Sequence, residues 1–266
     1  MILLNVLAMV AVAATVLMAM LGGETPALDR AATFRDASAA LAVARGGELT
    51  AVAALRRDLL DAPESDDATE PWARVAQAAT PIAGGTFALT IVDAQGRFNI
   101  NAAPGVGEPL LAAITTSLGL DPDIASRIAA SIAERGRVTD VSELARAGID
   151  DVTLARLRPL VTALPAAAPV NVNAASPELL AILVGDRVGG RLLGDRRTRA
   201  GKLTPLDLAA TGLRLPPGAG FTSDHFIVAT TVTQGSATVT LTSLLERRRS
   251  PDAVVAIARW LGPGPS

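Results

Sequence analysis

Asp93-Ala94-Gln95-Gly96-Arg97-Phe98-Asn99-Ile100-Asn101-Ala102-Ala103 decides how this chain is read, because its second half returns as Val170-Asn171-Val172-Asn173-Ala174-Ala175. Each copy alternates apolar side chains with asparagine and then opens a helical run. Asn101 and Asn173 are therefore expected to tie the backbone as it leaves an extended segment. The duplication continues downstream. Glu134-Arg135-Gly136-Arg137-Val138-Thr139 precedes a helix ending near Gly148-Ile149, and Arg199-Ala200-Gly201-Lys202-Leu203-Thr204 precedes one ending near Gly212-Leu213. One deletion reconciles the copies. Thr139 and Thr204 stand where N-caps belong, since a hydroxyl there accepts a bond from an otherwise unpaired first-turn amide.

Strands flank this helical region. Residues 86–93 alternate apolar and polar side chains, and Ala94-Gln95-Gly96 offers a turn before 97–100, which predicts two short antiparallel strands. Residues 224–232 and 236–245 are rich in Val, Thr, Ile and Phe and are joined by Thr233-Gln234-Gly235, a hairpin signal. They are expected to extend the same sheet, followed by a last strand or helix over 253–261 and a loose tail.

The amino-terminal end carries the other strong signal. Residues 1–23 hold no charged side chain, and 2–21 are apolar apart from Asn5 and Thr15. Twenty helical residues reach about 30 Å, the thickness of a bilayer's hydrocarbon core, so the segment can span a membrane. A secretory signal peptide would carry a basic n-region, a shorter apolar run and a small-residue cleavage site. The chain then turns amphipathic, with Leu28, Phe34, Leu41, Leu49, Val52, Leu55 and Leu59 near helical spacing, and Gly22, Gly23 and Pro26 suggest a kink or short break between the two parts. Residues 61–71 are acidic and turn-rich and end the long helix. Asp61, Glu64, Asp66, Asp67 and Glu70 could hold a hard cation through oxygen ligands, but they lack an EF-hand pattern and a solvated loop is expected.

Composition narrows the function. Half of the 266 residues are hydrophobic and 19% are charged, enough for a sizeable core, and the net charge of -2 gives no global attraction to nucleic acid. The absence of cysteine excludes disulfides, thiolate metal sites and cysteine nucleophiles, and 3% aromatics with no tyrosine excludes stacking platforms for bases. His225 is the single histidine and lies in a predicted strand. The sequence shows no GxSxG elbow, Walker loop, GxGxxG opening or HExxH helix, so no catalytic residue is assigned.

Taken in order, these features resemble the minor pseudopilin K family of type II secretion. The resemblance rests on the apolar spike, the amphipathic helix with Ala44-Arg45-Gly46-Gly47, the Asp93 to Asn101 strand and turn, Leu157-Arg158-Pro159-Leu160-Val161-Thr162-Ala163-Leu164-Pro165 closing a helical insertion, the Val170 to Ala175 repeat, and Ser223-Asp224-His225-Phe226-Ile227-Val228 before a final strand ending at Arg247. The resemblance implies an α+β head in which a pilin-like N-terminal helix packs on an antiparallel sheet with an inserted all-helical unit of the SAM-like or helix-hairpin-helix kind. It divides the chain into a spike (1–23), its amphipathic continuation (24–60), a loop and first strands (61–103), the inserted helical domain (104–168), the second repeat (169–215), and C-terminal strands and tail (216–266). It further implies a non-enzymatic, single-pass inner-membrane protein with a periplasmic head, which joins two smaller minor pseudopilins at a pseudopilus tip to start or cap the fibre.

On that resemblance Asp93, Gly96, Asn99, Asn101, Asn171 and Asn173 are structural residues of the assembly, and Asn5 stands where most pilins carry glutamate if Met1 is the mature start. The short basic leader of the family does not precede the spike, so the chain is expected to begin at its processed form or to come from a truncated gene model. The family's insertion also carries an Asp/Trp-rich calcium stretch, whereas here Ile132-Ala133-Glu134-Arg135-Gly136 runs straight on, so neither calcium nor another cofactor is expected. Helix-hairpin-helix units also serve membrane-anchored DNA-binding proteins of the competence type. Residues 185–202 favour that alternative with Arg187, Arg191, Arg196, Arg197, Arg199 and Lys202 against Asp186 and Asp195, a local +4. Gly148-Ile149-Asp150-Asp151 in the first copy opposes it, since its carboxylates repel phosphate, and no nucleic acid is expected as partner.

Overall fold

A computed structural model of the protein describes residues 2–248 and 254–264. Helix α1 runs over Ile2–Asp61, 60 residues or about 90 Å. It is a single helix, without the break expected at Gly22, Gly23 and Pro26. Helix propagation is cooperative, so isolated poor formers inside a long apolar run weaken a helix without ending it. Ile2–Met18 is apolar and exposed throughout, which makes this end of α1 a candidate membrane anchor.

The carboxy-terminal part of α1 packs on a sheet. Its inward stripe is Ala40, Ala44, Gly47, Ala51 and Leu55, spaced by three or four residues. Leu28, Phe34 and Leu49, expected on that stripe, are exposed instead. Small residues face the sheet because the backbones approach closely. A Cβ on Gly47 would lie 2.7 Å from Thr230 Oγ1 and 3.2 Å from the Phe87 ring.

A short helix α2 (Pro71–Arg74) leads into a sheet of five antiparallel strands, in the order β1 (Gln77–Ile82), β2 (Gly85–Asp93), β7 (His225–Gln234), β8 (Ala237–Arg247) and β9 (Val254–Leu261). Strand β1, not anticipated from sequence, makes a hairpin with β2. The expected hairpin is β7 with β8, and β9 completes the sheet as a strand. Strand β7 pairs with β2, Phe226 opposite Asp93. The chain thus leaves the sheet after Asp93 and re-enters it beside the same residue some 130 positions later. Trp72, Phe226, Leu89, Leu55 and Leu245 fill the space between α1 and the sheet, with the Trp72 and Phe226 rings edge to face at 5.1 Å.

Everything between those points forms the helical unit. The two repeats open on two-residue strands, β3 (Phe98–Asn99) and β5 (Val170–Asn171), which pair in parallel with β4 (Val161–Thr162) and β6 (Ala219–Gly220). This corrects the expectation that 97–100 returns antiparallel to 86–93. The Ala94–Gly96 turn is a 3-10 helix that redirects the chain away from the sheet. The first copy continues through α3 (Glu108–Ser117), α4 (Asp123–Arg135), the 3-10 helix Val141–Ala147 and α5 (Asp151–Leu157). The second holds α6 (Pro177–Val184), α7 (Arg187–Ala200) and α8 (Pro205–Thr211). Both copies share one aliphatic core, in which Ile100, Leu111, Ile114, Ile128 and Leu157 of one meet Val172, Leu179, Leu180 and Leu203 of the other.

Candidate functional site

The repeated asparagines do the same work twice. Asn99 Oδ1 accepts from the Asn101 amide at 3.1 Å and Asn171 Oδ1 from the Asn173 amide at 2.9 Å, the turn that ends each short strand. Asn101 then grips Val138, accepting from its amide at 2.9 Å and donating to its carbonyl at 2.8 Å. Asn173 grips Leu203 in the same manner, at 2.7 and 3.2 Å. Val138 and Leu203 occupy matching places in the downstream repeat, so the duplication is one of bonding as well as of sequence. Thr204 caps α8 as expected, in a capping box with Asp207. In the first copy the cap is Asp140, with Glu143 completing the box, and Thr139 donates to Glu143 Oε1 at 2.7 Å instead. A carboxylate one position on accepts amide bonds better than a hydroxyl.

Where the helical unit joins the sheet, the strand and turn residues converge. Asp93, half-buried, accepts from Ser223 Oγ at 2.6 Å, Asn171 Nδ2 at 2.8 Å and the Gln95 amide at 2.8 Å. Burial pushes its carboxyl up to about 6 despite those bonds. Asn171 also reaches the Asp66 carbonyl at 2.9 Å, and Gln95 reaches the Pro169 carbonyl at 2.9 Å while accepting from the Asp224 amide at 2.7 Å. Gly96 belongs here because a Cβ would meet the Ala174 carbonyl oxygen at 2.7 Å. Asn5 does not join this cluster and lies exposed near the other end of α1.

The acidic loop is not the solvated segment expected. Asp66, Asp67 and Glu70 are buried, whereas Asp61 and Glu64 are exposed. Sequence reasoning missed two more members, Asp58 and Arg247. Arg247 Nη1 donates to Asp58 Oδ2 at 3.0 Å, and Nη2 to Asp66 Oδ2 and to the Ser223 carbonyl, the latter at 2.7 Å. Its guanidinium lies 5.3 Å from the Phe226 ring centre. Glu70 Oε2 accepts from Trp72 Nε1 at 2.8 Å. Burial raises Asp58 to about 6, with the Asp66 charge adding to it, and raises Glu70 to about 7. Asp58 had a legible signal, a carboxylate one turn after Leu55 on the inward stripe. Arg247 had one also, two residues after buried Leu245 and so on the same face of β8.

His225 is buried with Nδ1 3.3 Å from Gln95 Oε1, and burial lowers its pKa. It braces the junction. Half of the basic stretch is spent internally: Arg196 pairs with Asp207 at 2.7 Å, Arg197 donates to the Val172 and Ala175 carbonyls at 2.6 and 2.7 Å, and Lys202 donates to Ser65 Oγ at 3.1 Å. At the hairpin tips the amides that would meet a phosphate are bonded by Asp150, which accepts from Thr153, and by Asp186, which accepts from Val188. The geometry therefore works against DNA binding.

Chains of similar sequence align with most of this one. Type II secretion system protein K of Pseudomonas aeruginosa is 29% identical over 98% of this chain and 92% of its own length. That of Klebsiella pneumoniae is 28% identical over 85% of this chain and 86% of its own. The chain is a homologue of type II secretion system protein K. Among solved structures, a chain of the crystal structure of the GspK-GspI-GspJ complex from enterotoxigenic Escherichia coli superposes with a TM-score of 0.70 at 21% identity, covering 88% of this chain and all of that one. The α+β fold is thus that of a protein K, helical unit included. No protein-family model matches the chain.

Proposed function

We propose that this homologue of protein K is a non-enzymatic minor pseudopilin. In this reading residues 1–23 anchor it in the inner membrane, its head lies in the periplasm, and it joins two smaller minor pseudopilins at the tip of a type II secretion pseudopilus, where it starts or caps the fibre. The observation that carries the reading is α1, whose exposed apolar end and sheet-packed end make one helix. A spike of this kind can lie in lipid and later pack against other spikes. The junction adds support, since its polar groups bond one another between the sheet and the helical unit.

The test is co-purification of the full chain, in mild detergent, with the small pilin-like proteins encoded by the same organism, with a short DNA duplex in a parallel run. A stable complex with two such partners and no duplex retention is expected. Duplex binding without pilin-like partners would overturn the proposal.

A further inference from the structure

We propose that Asp58, Asp66 and Glu70 form a binding site for a hard divalent cation of calcium's size, set between the end of α1, the loop after it and β8. One carboxylate oxygen from each of the three buried residues lies within 4.8 Å of the others. Oxygens that ligate one calcium ion at 2.3–2.6 Å stand at most about 5 Å apart, so the spacing is that of a shared ion. Two oxygens carry the inference further. Arg247 pairs with the Oδ2 atom of Asp58 and of Asp66, while the Oδ1 atom of each is buried and meets no donor. A desolvated, unbonded carboxylate oxygen is costly, and two in adjoining side chains call for a positively charged occupant.

Charge points the same way. Asp58, Asp66, Asp67 and Glu70 are buried carboxylates, and Arg247 and Lys202 are the cations paired with them. Four negative charges against two positive leave an excess of two, which one divalent cation cancels. Burial pushes Asp58 up to about 6 and Glu70 up to about 7, so near neutral pH the cluster must otherwise take up protons. Asp67 Oδ2, also without a hydrogen bond, and the Ser65 hydroxyl offer further oxygen donors in the same loop. Calcium fits better than magnesium, because magnesium holds its waters and demands strict octahedral geometry. The site lies in the sheet half of the head, outside the helical unit, and does not depend on the secretion role.

Trp72 supplies the probe, since its indole bonds Glu70 directly. The full chain in detergent, stripped with EDTA, is titrated with terbium under tryptophan excitation and separately with calcium while its Tm is followed. Expected are sensitised terbium emission that saturates at one ion per chain and is displaced by calcium, and a calcium-dependent rise in Tm. Glu70→Gln, which retains an oxygen for Trp72, weakens calcium binding about 10-fold or more. Asp58→Asn does the same, and Glu70→Gln decides alone should Asp58→Asn fail to fold. Trp72→Phe removes the emission and keeps the calcium-dependent Tm rise. Asp61→Asn and Glu64→Gln change nothing. Absence of both emission and a calcium effect on Tm, or calcium binding unaltered in Glu70→Gln, overturns the proposal; a stability that follows pH alone would then assign the cluster to shared protons.

Discussion

Replacing Asn173 by alanine tests whether the repeated asparagine clamp holds the helical unit together. Asn173 is 7% exposed and Leu203 is fully buried, so no solvent replaces what is removed. The substitution deletes the 2.7 Å bond from the Leu203 amide and the 3.2 Å bond to its carbonyl. Each of the two bonds contributes about 1 kcal/mol net, and stranding a buried amide adds about 1–3 kcal/mol, for a total loss of about 3–5 kcal/mol. The Asn171 turn survives, because it uses the backbone of residue 173. Urea denaturation followed by circular dichroism reads the total, and hydrogen exchange resolves the site: the Leu203 amide should lose protection while the Val138 amide keeps it. Asn101→Ala should give the mirror result, exposing Val138 and sparing Leu203. Unchanged protection at Leu203, with a shift in stability below about 0.5 kcal/mol, would refute the reasoning.

Gly96→Ala should destabilise the head by about 1–3 kcal/mol in the same denaturation assay, since the new methyl group meets the Ala174 carbonyl oxygen at 2.7 Å. Glu48→Ala should cost about 1–3 kcal/mol, because it leaves the buried Ser243 hydroxyl without its partner, whereas half-exposed Arg259 regains water for the two 2.8 Å bonds it loses. In Glu48, burial opposes the charge, but the bonds from Arg259 and Ser243 outweigh it and hold the carboxyl below its usual range. Asp93 shapes the pH dependence in the opposite direction. Its folded carboxyl titrates near about 6 against an ordinary 3.8, so the folded state holds a proton that the unfolded chain has lost, and its contribution falls as pH rises through that window. Asp58 and Glu70 act in the same direction, so thermal melts from pH 4 to 6 should show a decline that Asp93→Asn reduces by on the order of 2 kcal/mol and does not abolish.

The site was partly legible. The four asparagines were marked by the duplication, Asp93 and Gly96 by the resemblance, and each of the six makes a bond or a close approach in the structure. Asp58 and Arg247 were missed: spacing along α1 and β8 puts each on a buried face, but nothing local announces that the two meet, 189 positions apart. The acidic loop was misread for the same reason. Its charges look solvated until β8 supplies the guanidinium that permits their burial.

Sequence alone determined what depends on near neighbours: the long apolar helix, the hairpin of β7 and β8, the Thr204 cap, the glycine stops at Gly148 and Gly212, and the existence of a repeat. These follow from backbone preferences and side-chain spacing within a few residues. Only the tertiary structure decided which face of α1 turns inward, because alanine and glycine give little hydrophobic contrast and their value lies in how closely a sheet can approach. It alone decided that the short strands pair in parallel with distant partners and that buried carboxylates gather around Arg247. Those outcomes are set by contacts between segments far apart along the chain, whose free energy is realised only when both are in place.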